Sequence, residues 1–318
     1  MIEITPWHWA GFIICILFFI ALDLGAFHRR PQAQTFRQAL AWSGMWVFLA
    51  LLFAAAVNHW RGRAEATQFV TGYLIELSLS LDNILVIALI FSAFKVPAEL
   101  EHPVLVWGIL GALVMRGVMI GVGVALIHQF SWVLYLFGAF LVFTGIKMAI
   151  TRHTTVDPDQ HPLIRLVRHF FPVSKDFDGA KFVSLINGRR ALTPLALVLV
   201  LVESSDLLFA VDSVPAVFSV TRDAFIVFTS NVFAILGLRS LYFLLAGAMA
   251  CFRYLKFGLS VVLVFVGLKM LLESHGREPR WFQFDVSNGA SLSIIAAILG
   301  VAVTVSVVAA RRERGRPA

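Results

Sequence analysis

Five carboxylates and two arginines lie inside stretches of this chain that otherwise read as lipid-buried helix. Glu76 and Asp82 share one stretch, Glu203, Asp206 and Asp212 another, and Arg116 and Arg239 sit in two more. An ionisable side chain at the bilayer centre costs at least about 2.5–3.5 kcal/mol on insertion scales, so such groups face a protein interior or an aqueous cavity and mark an ion path. Five potential negative charges less two positive leave a surplus of three, which protons or a bound cation must offset.

The spacing says which of these groups can act together. In Glu76-Leu-Ser-Leu-Ser-Leu-Asp82-Asn83, Glu76, Ser80 and Asn83 fall on one helical face, with Asp82 roughly 120° away. Glu203 and Asp206 are three apart and therefore adjacent, whereas Asp212 points nearly opposite Glu203 on a straight helix. Pro215 removes an N–H and frees the carbonyl of Val211, so a broken helix at Asp212–Pro215 is expected to swing Asp212 inward. Unwound backbone is tolerated in a membrane only where it lines a cavity or is buried in protein. The expected metal ligands are Glu76, Asp82, Asn83, Glu203, Asp206 and Asp212, with Arg116 and Arg239 as ion-pair or gating residues, each bridging one carboxylate. An all-oxygen shell suits Mn²⁺, Ca²⁺ or Mg²⁺ over Cu⁺ or Zn²⁺. The metal is cargo, and no resident cofactor is implied.

Other polar residues have structural readings. Lys147 and Lys269 snorkel to the interface from segment ends. Asp23 is a helix-end contact, Asn231 an interhelical hydrogen bond, and the nine histidines interfacial or solvated. Cys15 and Cys251 form no CxxC pair and read as packing.

The elements that must position these groups follow from hydropathy. Of 318 residues, 59% are hydrophobic and only 14% charged, against roughly 25% charged in soluble domains. Nine spanning segments emerge, near 7–27, 40–58, 68–91, 104–127, 130–150, 192–218, 225–246, 252–273 and 290–310. The first is read as a retained helix, too long for a signal-peptide core. The fold expected is an all-α polytopic membrane protein. It divides into two N-terminal helices (1–67), a three-helix repeat (68–150), a cytoplasmic loop (151–191), a second repeat (192–273), and a final helix with a basic cytoplasmic tail (274–318).

The net charge of +7 does not point to nucleic acid, because the basic residues sit in short loops and a tail. With the N-terminus outside, 17 Lys and Arg fall in the cytoplasm and 5 outside, and Arg116, Lys147, Arg239 and Lys269 complete the 26. That bias gives an N-out, C-in orientation in a bacterial plasma membrane. Trp7, Trp9, Trp60, Trp132 and Trp281 then form an outer aromatic belt.

The repeat rests on polar landmarks. Asp82 and Asp206 are 124 apart, Arg116 and Arg239 123, and Lys147 and Lys269 122, the last pair within Gly145-Ile-Lys147-Met148 and Gly267-Leu-Lys269-Met270. An odd number of helices per repeat makes the copies cross in opposite senses, the inverted arrangement of secondary transporters, with the site at the midplane interface.

These motifs resemble the TerC family of integral membrane proteins, in particular its Alx-like branch. The likeness rests on Glu76 to Ile84, on Val202-Glu203-Ser-Ser-Asp206-Leu-Leu-Phe-Ala-Val-Asp212-Ser213-Val-Pro215-Ala, and on Phe228 through Asn231 and Arg239 to Tyr242. Ala21-Leu-Asp23-Leu-Gly25 also fits, and Ser204-Ser205 is a mild departure. The resemblance implies Mn²⁺ efflux at the acids of the two repeat motifs. It also brings associations with tellurite resistance, pH response and metal loading of exported enzymes.

Three functions remain in view. The first is a secondary transporter exporting a divalent cation, with protons as a candidate counter-ion. The second is a scaffold or assembly factor, as a homo-oligomer or with an exported metalloenzyme pathway. The third is an intramembrane aspartyl protease using Asp82 with Asp206 or Asp212, against which stands the lack of a GxGD motif. No GxxxxGK[ST] loop occurs, so transport would draw on gradients rather than nucleotide hydrolysis, and no enzyme activity is expected.

Overall fold

Backbone polar groups in hydrocarbon must be satisfied within their own segment, which makes helices the natural form for this chain. The computed structural model describes residues 4–27, 36–151, 161–186, 188–246, 255–273 and 286–314. Outside them lie Cys251, Trp281, the Asp157–Pro158–Asp159 run and the basic residues Arg29, Arg30, Arg152, Arg253, Arg277, Arg280 and Arg316. The side chains of Asp23 and of Arg311, Arg312 and Arg314 also fall outside.

Ten helices are described: α1 (Pro6–Phe27), α2 (Phe36–Trp60), α3 (Arg63–Ala93), α4 (Ala98–Gln129), α5 (Val133–Ile150), α6 (Pro162–Phe170), α7 (Pro194–Phe218), α8 (Ala224–Ala246), α9 (Leu255–Leu272) and α10 (Asn288–Arg314). Eight of these, all but α1 and α6, are long and apolar enough to cross a membrane, and α1 adds the shorter apolar stretch Pro6–Ala21. The chain is thus a multi-pass, all-α membrane protein.

Local chemistry sets the boundaries. Only two residues join α2 to α3, and Gly62 turns the chain with φ +108, a conformation that side chains with a Cβ rarely adopt. Thr193 caps α7 by accepting from the Ala196 amide, with Pro194 at the first helical position, where its missing N–H costs nothing. Asp223 caps α8 by accepting from the amides of Phe225 and Ile226. Its other oxygen meets Arg61 at 2.7 Å, tying the α2–α3 turn to the start of α8.

These ties fix the sense of each helix. The starts of α1, α3 and α8 and the end of α2 lie together: Trp60 stacks on His8 at 4.8 Å, and both Trp9 and Trp60 edge onto Phe225. The end of α9 joins the end of α7 and the start of α10, because Lys269 donates to the Ser219 carbonyl and the Asn288 side chain. Lys256, at the start of α9, reaches the Thr151 carbonyl at the end of α5. Since α7 ends where α8 begins, α3 and α7 cross in opposite senses.

Helix α8 is the most buried of the spanning helices and packs on α2, α3 and α4, while α10 is peripheral. The most extensive contact is between α5 and α9, where small residues let backbones approach. A Cβ on Gly138 would meet the Gly267 carbonyl at 3.0 Å, and one on Gly145 the Ser260 carbonyl at 2.9 Å. On α4, Val114, Val118 and Val122 recur every fourth residue and are exposed to the lipid side, while Arg116, Ile120 and Ile127 turn inward.

The polar connection 151–191, expected as a loop, holds regular structure. It contains α6 and an antiparallel hairpin of β1 (Val183–Ile186) and β2 (Arg189–Leu192), with Ile186 opposite Arg189 and Val183 opposite Leu192. Asn187-Gly188 is the strongest short hairpin signal a sequence offers, and Gly188 has the required positive φ of 77. Asp178 braces the hairpin. The Ser184 hydroxyl and the Lys181 ammonium donate to its carboxylate and hold it below the usual carboxylate range.

Candidate functional site: a buried arginine between two helices of acids

Arg116 is the centre of the buried polar cluster. It is 1% exposed, deep in α4, and cannot lose its proton, so the fold must supply negative partners. Glu76 on α3 forms one ion pair with it. Asp206 on α7 forms the other in a side-on fork, with Nη2 at 2.8 Å from one oxygen and Nε at 3.2 Å from the second. The remaining terminal nitrogen donates to Ser213 at 3.2 Å. Asp206 and Ser213 are seven residues apart, two turns of an unbroken helix, so one face of α7 presents both.

Asn83 completes the link between α3 and α7 by donating its amide to Asp206 at 3.2 Å. Glu76, Ser80 and Asn83 do share the inward face of α3, and all are buried. Oxygens on that face remain without hydrogen-bond partners: one on Glu76, the Ser80 hydroxyl, and the Asn83 carbonyl. Glu203 lies beside Asp206 and packs on Gly111 of α4, where a Cβ would collide with its carboxylate; one of its oxygens is buried without a partner. A void of about 20 Å³, roughly the size for one water, adjoins Asp206 and is otherwise walled by apolar residues such as Leu105, Val202 and Ile235.

The remaining expected residues have the following surroundings. Helix α7 runs continuously through Pro215, so the break expected at Asp212–Pro215 does not occur. Asp212 instead lies beside Thr144 and within electrostatic reach of Lys147, both on α5. Arg239 meets the His102 imidazole at 3.1 Å, and Tyr242 on the same helix lies beside Glu101. His102 is thus a partly buried partner of Arg239 rather than a solvated interfacial group. Lys269 does not snorkel: it is 4% exposed and bound to Ser219. Asn231 is 1% exposed, and neither polar atom of its side chain has a hydrogen-bond partner, contrary to the interhelical bond expected. Asp82 is buried on α3, one position round from Asn83.

The arrangement differs from the open chamber that the six expected ligands would make. Among the described residues, no three His, Cys, Asp or Glu side chains stand close enough to hold a metal ion by themselves. Two acids are instead engaged by one guanidinium, a third acid is adjacent, and unsatisfied oxygens line the α3 face.

Such a cluster inside a bundle of spanning helices defines a polytopic integral membrane protein with a charged interior site. The chain matches the family model described as "Integral membrane protein TerC family" over residues 61–314, and it belongs to that family. It is 50% identical over 307 residues to "Uncharacterized membrane protein STKORF319" of Myxococcus xanthus, covering 96% of this chain and 94% of that protein. It is also 50% identical over 304 residues to "Putative membrane-bound redox modulator Alx" of Escherichia coli K12, covering 93% and 92%. The similarly named protein of Salmonella typhi is 43% identical over 311 residues, covering 95% and 94%. No solved structure matches the chain.

Proposed function

We propose that this protein is a secondary transporter that exports divalent metal cations, Mn²⁺ foremost, across the plasma membrane, in the N-out, C-in orientation. The observation that carries this reading is the charge balance around Arg116. Glu76, Asp206 and Glu203 set three acidic groups against one positive charge; with all three ionised the difference is two, which a dication would neutralise. Buried polar atoms without partners call for a specific explanation. Here the orphaned oxygens of Glu76, Ser80, Asn83 and Glu203 are hard ligands of the kind Mn²⁺ takes.

In this reading Arg116 is a tethered stand-in for the cargo. It grips Glu76 and Asp206 when no dication is present and gives way when one arrives, so release of the metal restores the ion pairs. Protons serve as the counter-ion, carried by the acids as the metal leaves. The opposite senses of α3 and α7 favour an inverted repeat. So does an exchange at α5–α9: applying the offset of 122 to the Gly138–Gly267 contact gives Ser260–Gly145, the other contact observed there. Inverted repeats rocking about a midplane site are a common means of alternating access.

The relatives' name, redox modulator, fits transport of a redox-active metal. A scaffold reading has one observation in its favour, since the Arg116 double bridge also locks three helices together. Mn²⁺ titration of the purified protein separates the two. Binding lost in Asp206→Asn and Glu76→Gln supports transport, whereas no binding by the folded wild type supports the scaffold.

A further inference from the structure

A second, separate pocket lies where α6 meets the end of α3 and the start of α7. It measures about 650 Å³ and is lined by Phe94, Arg168, Phe171, Lys175, Phe177 and Leu197 among others. Its position is interfacial, because Phe94 caps one spanning helix and Leu197 sits in the first turn of another.

Helix α6 is strongly amphipathic. Ile164 is fully buried and packs with Leu163 and Val167 into the core shared with α3 and α7. Arg165, Arg168 and His169 occupy one polar arc. Leu166, Phe170 and Phe171 are 54%, 68% and 55% exposed, an apolar rim of the kind that lies in the headgroup–acyl boundary. The surrounding charge is one-sided. Between residues 161 and 197 there are six basic side chains, Arg165, Arg168, Lys175, Lys181, Arg189 and Arg190, against Asp176 and Asp178. One of those acids is already engaged by Lys181 and Ser184.

We propose that this pocket binds the headgroup of an anionic phospholipid, with its phosphate held by Arg168 and Lys175 and its glycerol and upper acyl carbons against Phe94, Phe171 and Leu197. A guanidinium fork with a nearby ammonium matches a phosphodiester, and basic pockets at the ends of spanning helices suit such headgroups. The exposed apolar rim favours a lipid over a soluble phosphate, which would not need Leu166 and Phe170 seated in the bilayer. The bound lipid ties α6 to α3 and α7, the two helices that supply the partners of Arg116. The inference does not depend on what the buried site transports.

The test is photolabelling of the full-length protein in phosphatidylcholine vesicles doped with a diazirine-bearing phosphatidylglycerol, followed by peptide mapping. Adducts should concentrate within residues 165–177. In Arg168→Gln/Lys175→Gln they should fall about thirtyfold, the size expected for losing two cationic contacts to an anionic surface. Labelling of lipid-facing α4 should stay constant, which reports that the variant is folded, and the exposed substitution Lys175→Arg should retain the signal. Equal labelling by a phosphatidylcholine probe, adducts spread along the spans, or no change in the double variant would overturn the proposal. Competition by free glycerol phosphate would overturn it too, by assigning the pocket to a soluble anion.

Discussion

Arg116 on α4 holds Asp206 on α7 by both carboxylate oxygens, at 2.8 and 3.2 Å, while the same guanidinium pairs with Glu76 on α3. One side chain thereby joins three helices through the bilayer interior. Removing one partner of a buried ion pair costs about 3–5 kcal/mol because the other charge is left uncompensated.

Arg116→Gln should therefore lower the melting temperature of the detergent-solubilised protein. If the guanidinium stands in for a dication, millimolar Mn²⁺ should restore stability in the variant more than in the wild type. Arg116→Lys should restore little on its own, because an ammonium cannot make the side-on fork. Thermal unfolding with and without metal checks all three expectations.

The pairing of Asp212 with α5 makes a different prediction. Asp212→Asn and Lys147→Met should each destabilise the protein. The double variant should lose slightly less than the two together, with a coupling of about 0.2–1 kcal/mol, the size of an exposed charge pair. Strict additivity in a double-mutant cycle would separate the two residues.

Close approaches by glycine are directly testable. Gly111→Ala forces Glu203 from its place, and Gly267→Ala drives a methyl to 2.7 Å from the Gly138 carbonyl. Each should cost about 1–3 kcal/mol by overpacking. Gly121→Ala on α4 meets nothing within 4 Å and serves as the matched control in the same denaturation series.

Asp223 combines a helix cap with an ion pair. Asp223→Ala should cost about 0.5–2 kcal/mol through the cap. It should also speed amide exchange at Phe225 and Ile226, the two N–H groups Asp223 accepts from. Hydrogen exchange by mass spectrometry would register both.

Much of this architecture is written in local patterns. The spans follow from hydropathy, and the shared face of Glu76, Ser80 and Asn83 follows from 3.6 residues per turn, because α3 is continuous α-helix there. Spacing on one helix gives an angle but not the neighbour at that angle. Nothing local says that Arg116 takes two acids, that Arg239 meets His102, or that Asp212 faces α5. Those choices are set by which helices pack together. Pro215 misleads for a related reason: a missing hydrogen bond permits a break, but tertiary packing decides whether the helix uses it. The hairpin at 183–192 was legible in Asn187-Gly188, beneath a composition that otherwise reads as a polar loop.

The acids around Arg116 are proposed to carry a dication through the bilayer. Mn²⁺ flux into proteoliposomes, run with and without a pH gradient, tests this most directly. Uptake should depend on the protein, rise with the gradient and be lost in Asp206→Asn, while the folded Gly121→Ala control is unaffected. Protein-containing vesicles that take up no more Mn²⁺ than empty ones, or an Asp206→Asn variant that transports like the wild type, would contradict it.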